Sequence, residues 1–495
     1  MTYRKYTGRL NIFAATPRRV DARETISAYG SIARMDPPGP SKNYMNMNSF
    51  ALNQNRSVDL PTSDRNVRLT SNRTGGTPNG SPRARGRWFS FVGAGALIAV
   101  GYMDPGNWAT ALSGGAKYGF QLIGVVLVAS LMGLVLQWVA SKVGVVTGRD
   151  LAQLCRTTYS RPTVIFLWIT CDIAIVACDV AEVVGSAVAL QLLLGVSLAV
   201  GVLMSAVGTF SMLALQSHGP RPLQAVVMTL IVFVGLCFFV ELMFANPVWR
   251  SVLAGFVPNA ALVRDSGMVW LAAGILGATV MPHNLYLHSA LVKNLAGDGE
   301  HQSISDATRG VNIDTFVSLS VAFVLNAALL IVAAAVFHTS GQLDVSDLAD
   351  AHRLIAPLVG RQWAAILFAA GLLACGLNAT VTGTLAGQVV MEGFLQLKIA
   401  RWARALLTRA LAIGPAWLAV GVFGEHGSNQ LLVASQVALS LQLPLAAIPL
   451  VRFASDAGLM GCFRVRGISL GLAWACAGIV LALNLVLLWQ LVTGV

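Results

Sequence analysis

The chain has 495 residues, 55% of them hydrophobic and 11% charged, with a mean hydropathy of +0.67. This composition excludes a water-soluble globular domain. The net charge of +12 does not mark a nucleic-acid partner either, because residues 1–87 hold fifteen Lys/Arg against five Asp/Glu, ten of the twelve net charges.

That first segment is rich in Ser, Asn, Pro and Gly and has no apolar periodicity, so it is expected to be a disordered tail. Its basic character suits contact with anionic lipid. Met35, Met45 and Met47 offer later starts, and no apolar run near residue 1 makes a cleavable signal peptide.

Residues 88–495 carry eleven apolar stretches near 89–116, 120–144, 163–190, 196–217, 222–246, 267–294, 311–338, 362–396, 401–423, 428–453 and 467–493. Each is long enough to cross a hydrocarbon core of about 30 Å. Basic residues favour the cytoplasmic side. An inside N-terminus makes the even-numbered loops basic, as Lys142, Arg149, Arg156 and Arg161 do near the end of span 2, Arg221 after span 4 and Lys398 after span 8. The loop after span 6 is mixed, with Lys293 and Arg309 beside Asp298, Glu300 and Asp306. The expectation is a multi-pass protein of the cell (inner) membrane, N-terminus cytoplasmic and C-terminus outside. The seven cysteines show no CxxC spacing and fall mostly within spans, as small buried hydrophobes do.

Spans 1 and 6 are interrupted in matching ways, by "GYMDPGNWAT" and by "GATVMPHNLYLHS". Pro105 removes a backbone donor beside Gly106, which is free in its dihedrals, and Pro282 does the same in span 6. One proline kink means little. Two, five spans apart, point to an inverted-repeat secondary transporter with its site at the midplane, since unwound backbone survives at membrane depth only where it is buried in protein or lines a cavity. The two repeats would cover about 89–246 and 267–453, with an extra helix at 467–493.

The broken segments carry the chemistry. Asp104 is an ionisable group inside a span and calls for a cation; Asn107, three residues on, offers a carbonyl oxygen. Such oxygens suit many cations, sodium included. Met281 narrows the choice, because a thioether at the second break has little affinity for Na⁺, Mg²⁺ or Ca²⁺ and accepts softer transition metals; the plainer reading of Met281 is core filler. Span 3 places Asp172, Asp179 and Glu182 close to one helical face, which suits a proton relay or a static cluster with a basic residue such as Arg409 of span 9. His283 and His288 lie in span 6, and His288 reads better as a packing residue.

With "DVAEVVGSAVAL", "TGTLAGQVVMEGFL" and "SQVALSLQLP" following in order, the sequence over about 89–455 resembles the Nramp (natural resistance-associated macrophage protein) family of proton-coupled divalent-metal transporters, its bacterial manganese members in particular. The resemblance implies an all-α membrane protein of about eleven helices, a leucine-transporter-like 5+5 inverted repeat broken in helices 1 and 6, with no catalysis and no cofactor. It implies a metal site of Asp104, Asn107, the Ala278 carbonyl, the Met281 sulfur and, in one state, Gln436, with Asn326 nearby. It implies a proton route through Asp104, Asp179, Glu182, His283 and Arg409, and gating around Pro105, Gly106, Pro282 and Asp172. The partners would be Mn²⁺ or Fe²⁺, protons and the bilayer. Two departures stand out: Asp172 replaces the family's usual Glu, and Leu377 stands where many relatives carry Gln. Two other classes compete: a sodium-coupled amino-acid or organic-cation symporter of the same architecture, which needs no sulfur ligand, and a metal sensor, which would want a soluble output domain.

Overall fold

A computed structural model describes residues 93–493 except 218–219, 258–260, 298–300, 344, 346 and most of 398–425. The tail 1–87 and most of span 9, including Arg409, lie outside the described residues. Among those described, every regular element is a helix. Span 1 is α1 (Ala94–Gly101) and α2 (Pro105–Tyr118). A turn of 3₁₀ helix, Gly119–Leu122, leads into α3 (Ile123–Thr147), then α4 (Leu151–Thr158), α5 (Arg161–Leu194), α6 (Leu198–Ser217) and α7 (Pro220–Ala245). Short helices α8 (Trp249–Ala254) and α9 (Ala261–Arg264) precede span 6, which is α10 (Ser266–Thr279) and α11 (Pro282–Val292). There follow α12 (His301–Ala333), α13 (Leu348–Val359), α14 (Gln362–Leu395), α15 (His426–Ser455), α16 (Ala457–Met460) and α17 (Gly467–Thr493).

Among the described residues, which leave out most of span 9, eight stretches are long and apolar enough to cross a membrane. The count differs from eleven for visible reasons. The second half of span 1 and all of span 2 form one stretch, Pro105–Thr147, because only the 3₁₀ turn separates them, and span 4 appears as the shorter apolar helix Leu198–Met212. Helices α4 and α13 were not among the expected elements. The first is only eight residues long and is set by a capping box, Asp150 accepting from the Gln153 amide while the Gln153 side chain accepts from Asp150 N.

Both breaks are built by the same local chemistry. Asp104 has an extended backbone and caps α2, taking Asn107 N at 2.9 Å, with Pro105 at the first helical position, where its missing donor costs nothing. In span 6, α10 ends at Val280, Met281 is extended, and Pro282 starts α11. The entry to α10 is capped by Asp265, which accepts from Met268 N at 2.9 Å and from the Tyr118 hydroxyl at 2.8 Å. These bonds, the Met268 amide's foremost, hold its carboxyl below the usual range. The start of α1 is capped from another helix: Asp314 of α12 accepts from Gly93 N and Gly95 N at 3.1 and 2.7 Å.

Helices close on the breaks through small residues. A Cβ at Gly185 of α5 would overlap the Pro105 ring, and one at Gly277 of α10 would overlap the Gln436 carbonyl and lie 2.7 Å from Ser440 N, both of α15. Trp108, fully buried, wedges α2 between α7 and α14: its ring lies 4.8 Å from Phe238 and 5.1 Å from Phe368, and its Nε1–H donates to Cys375 Sγ at 3.3 Å. At one end of the bundle, α4 joins α11 to α14, through Lys293–Asp150 at 2.8 Å, Leu151 N to Ser289 Oγ at 2.9 Å, and Arg156 Nη1 to the Gly393 carbonyl at 2.8 Å. Because the contact at Gly277 is with backbone, which cannot rotate away, Gly277→Ala is expected to cost about 1–3 kcal/mol by overpacking. A lowered melting temperature in detergent checks this, and an unchanged one refutes the close approach.

Candidate metal site

The two breaks meet at Asn107. Its Nδ2–H₂ donates to Asp104 Oδ1 at 2.8 Å, to the Tyr102 carbonyl at 3.1 Å and, across to span 6, to the Ala278 carbonyl at 3.1 Å. Three oxygens, one of them a carboxylate's, thus converge on a single atom. The second carboxylate oxygen, Asp104 Oδ2, accepts from Gln436 Nε2 at 3.2 Å, so α15 closes the site on a further side. A Cβ at Gly106 would overlap the Gln436 amide, so Gln436 reaches Asp104 in this position only beside a glycine. Asp104 and Gln436 are completely buried, and Asn107 nearly so.

Tyr102 and Ala278 supply carbonyls because each lies at the frayed C-terminal end of a half-helix, where carbonyls have no intrahelical partner. The Tyr102 carbonyl also accepts from Asn326 Nδ2 at 2.8 Å, so α12 reaches the site through that backbone oxygen. Met281 caps α11 without a side-chain bond and is buried with Ala174 and Cys178 of α5 and Leu439 of α15. Among the described residues no three His, Cys, Asp or Glu side chains come together to hold a metal. Of the groups that converge on Asn107 and Gln436, the Asp104 carboxylate is the charged one and the carbonyls are neutral.

Helix α5 carries the acidic residues past this site. Asp179 and Glu182 are buried, and both carboxylates face α14 at one point: a Cβ on Gly383 would lie 2.9 Å from Glu182 Oε1 and 3.2 Å from Asp179 Oδ1. Cys178, which packs with Met281, donates to Glu182 Oε1 at 3.8 Å. Asp172 is about two turns away and only half-buried, apart from the pair.

The two histidines part company. His288 Nδ1 lies 2.9 Å from Gln137 Oε1 and its Nε2 3.4 Å from Thr315 Oγ1, the arrangement of a packing residue. His283, equally buried at the start of α11, has no hydrogen-bond partner for either ring nitrogen among the described residues.

Sequence reasoning missed the Tyr102 carbonyl, although its place two residues before the capping Asp104 is the signal for a freed backbone oxygen. It also missed the Gln137–His288 pair and the Asp314 cap, which join residues 151 and 219 or more positions apart and leave no local trace.

An all-helical membrane chain whose first and sixth spans break around one buried carboxylate is a secondary transporter of leucine-transporter-like fold, two inverted five-helix repeats with broken helices 1 and 6. The chain belongs to the Nramp family: residues 95–490 match the model for natural resistance-associated macrophage protein-like proteins. It is 48% identical over 408 residues to a divalent metal cation transporter MntH of Bradyrhizobium diazoefficiens, covering 82% of this chain and 91% of that one. It is 50% identical over 400 residues to divalent metal cation transporter MntH 1 of Pseudomonas aeruginosa, covering 81% and 91%. The crystal structure of the Eremococcus coleocola manganese transporter in complex with an aromatic bis-isothiourea compound superposes with a TM-score of 0.75 at 34% identity, covering 84% of this chain and 88% of the other. The nucleobase-cation-symport-1 transporter Mhp1, TM-score 0.55 at 13% identity over 81% and 93%, shares the fold.

The contrast between the histidines is measurable. His288→Leu strips Gln137 and Thr315 of a buried partner and should cost about 1–3 kcal/mol. His283→Leu removes no hydrogen bond among the described residues and should cost less. Detergent melting curves check the order, and the reverse order would show that His283 holds the bundle together.

Proposed function

We propose that this protein takes up divalent transition-metal cations, Mn²⁺ and also Fe²⁺, by alternating access around the breaks in spans 1 and 6, driven by protons. The observation that carries the reading is the convergence of Asp104 Oδ1, Tyr102 O and Ala278 O on one atom, Asn107 Nδ2, in a fully buried position. Replacing that NH₂ by a cation requires only that the Asn107 amide turn, which brings its own Oδ1 in as a fourth oxygen. Gln436 gives way from Asp104 Oδ2 or turns its Oε1, which is buried without a partner among the described residues. The converging donors are one carboxylate oxygen and two backbone carbonyls, a set of hard oxygens that suits a bare cation. This favours the metal over the organic-solute reading, as does the similarity to divalent metal cation transporters.

Met281 is the selectivity ligand: its soft sulfur compensates for lost hydration with transition ions and not with Ca²⁺ or Mg²⁺. Protons move along α5. Asp104 is the carboxylate at the breaks, and the buried Asp179–Glu182 pair, which faces α14 at Gly383, is the next acidic group on the route; Cys178 bonds to Glu182 and packs against Met281. The family resemblance adds His283 and Arg409 of span 9 to the same route and assigns Asp172 to gating. Pro105, Gly106 and Pro282 are the hinge points. In the membrane the N-terminus faces the cytoplasm and the C-terminus the outside, following the basic even-numbered loops.

The direct test is Mn²⁺ uptake into proteoliposomes with and without an inward proton gradient, intact protein against Asp104→Asn. Gradient-stimulated uptake that vanishes in the variant is expected. Binding should weaken by more than about a hundredfold, since even an outer partner of a metal ligand is worth about 10–100-fold. No uptake by folded intact protein would sink the metal reading, and sodium-dependent uptake of an organic solute would replace it. For Met281→Ala the discrimination against Ca²⁺ should fall by about tenfold or more, equivalent to ~1.4 kcal/mol. Full discrimination retained in that variant would remove the sulfur from the site.

A further inference from the structure

A cleft lies apart from the two breaks, where α3, α12 and the linker between α16 and α17 meet. It encloses about 520 Å³, and its lining includes Lys142 of α3, Ser305, Arg309 and Asn312 of α12, and Phe463 of the linker. Two cations face it. Neither has a carboxylate within 4.0 Å among the described residues, where the ion pairs are Lys293–Asp150 and Arg353–Asp350. Asp306, exposed on the same turn as Ser305, does not line the cleft. The Lys142 ammonium rests 5.1 Å from the Trp138 ring centroid, which fixes its position without neutralising it.

The remaining lining specifies more than charge. The Thr308 hydroxyl, also at the cleft, gives its proton to the Ile304 carbonyl at 2.8 Å, so Ser305 supplies the hydroxyl donor. Asn312 Oδ1 is buried with no hydrogen-bond partner among the described residues, an acceptor that wants a hydroxyl or an N–H. An anion that also carries such a donor satisfies the whole set. Below the cleft on α12, Ile313, Phe316, Val317, Val321 and Val324 are all exposed. Their spacing makes a helical stripe, and at 1.5 Å per residue it runs for about 16 Å, close to half of a hydrocarbon core of ~30 Å. A polar, basic cleft at the head of an apolar stripe one leaflet long is the shape of a phospholipid.

We infer that this cleft binds the phosphate headgroup of an anionic phospholipid bearing a hydroxyl, of the phosphatidylglycerol type, with an acyl chain lying along the α12 stripe. Lys142 and Arg309 hold the phosphate, Ser305 donates to it, and Asn312 Oδ1 accepts from the glycerol hydroxyl. Basic pockets between spanning helices are a recurrent way of holding anionic headgroups.

The test follows melting of the full-length protein in neutral detergent with added phosphatidylglycerol, phosphatidylcholine or inorganic phosphate at matched ionic strength. Phosphatidylglycerol should raise the melting temperature by about 2 °C or more over phosphatidylcholine, as a ligand of the folded state does. The Lys142→Gln/Arg309→Gln variant should lose that rise, and Arg309→Lys should keep most of it. Folding of the double variant is judged by monodisperse elution and by its melting in phosphatidylcholine, with Arg309→Gln alone taking its place should it aggregate. No rise in the intact protein, or an equal rise in the folded charge-removed variant, overturns the site. An equal rise with inorganic phosphate makes it a free-anion site and overturns the lipid assignment.

Discussion

Everything in this structure answers to one constraint: a carboxylate, Asp104, is completely buried between apolar helices. A lone charge in such a place costs at least a few kcal/mol, so the surrounding backbone must supply compensation. The chain achieves this by not finishing a helix. Stopping α1 at Gly101 and restarting at Pro105 leaves the Asn107 amide as a donor to the carboxylate and leaves the Tyr102 carbonyl as a nearby acceptor. A continuous helix would have consumed both. The same interruption in span 6 frees the Ala278 carbonyl, so two unfinished helices build a polar point from neutral backbone and a single charge.

How much of this was legible beforehand divides along physical lines. The breaks were plain, since Pro105–Gly106 and Met281–Pro282 are local signals that act through their own dihedrals and missing donors. The fold class followed from them together with the run of apolar stretches. What could not be read was anything decided by pairing across the bundle. Asn326 was placed near the site only through family resemblance, and the structure connects it by way of the Tyr102 carbonyl. The capping of α1 by Asp314 depends on α12 lying beside it, and while His288 was already read as a packing residue, its partner Gln137 lies on α3 and left no local trace. Helix α4 stayed hidden for a different reason: its eight residues are too few for a periodic signal, and its capping box is a two-residue clue.

Glycine placement shows why the site can be both buried and mobile. At Gly106, Gly185 and Gly277 neighbouring helices approach so closely that no side chain fits. The contacts at Gly185 and Gly277 hold α5 and α15 against the two breaks. The one at Gly106 differs in kind, because its neighbour is the end of the flexible Gln436 side chain, which swings while backbone does not. The packing thus fixes the frame of this buried point and leaves one wall free to turn, as the proposed alternating access needs.

The position of the acidic pair bears on the proposed coupling of ion and proton. Helix α5 meets the breaks twice, at Pro105 through Gly185 and at Met281 through Cys178, and Glu182 accepts from that same Cys178. Movement of α11 that displaces Met281 must therefore press on Cys178, and through it on the environment of Glu182. Two carboxylates facing one glycine have little room to adjust separately. In the proposed mechanism ion and proton then need not share a ligand to be linked, because one helix packs against Met281 on one turn and carries the carboxylates on the next.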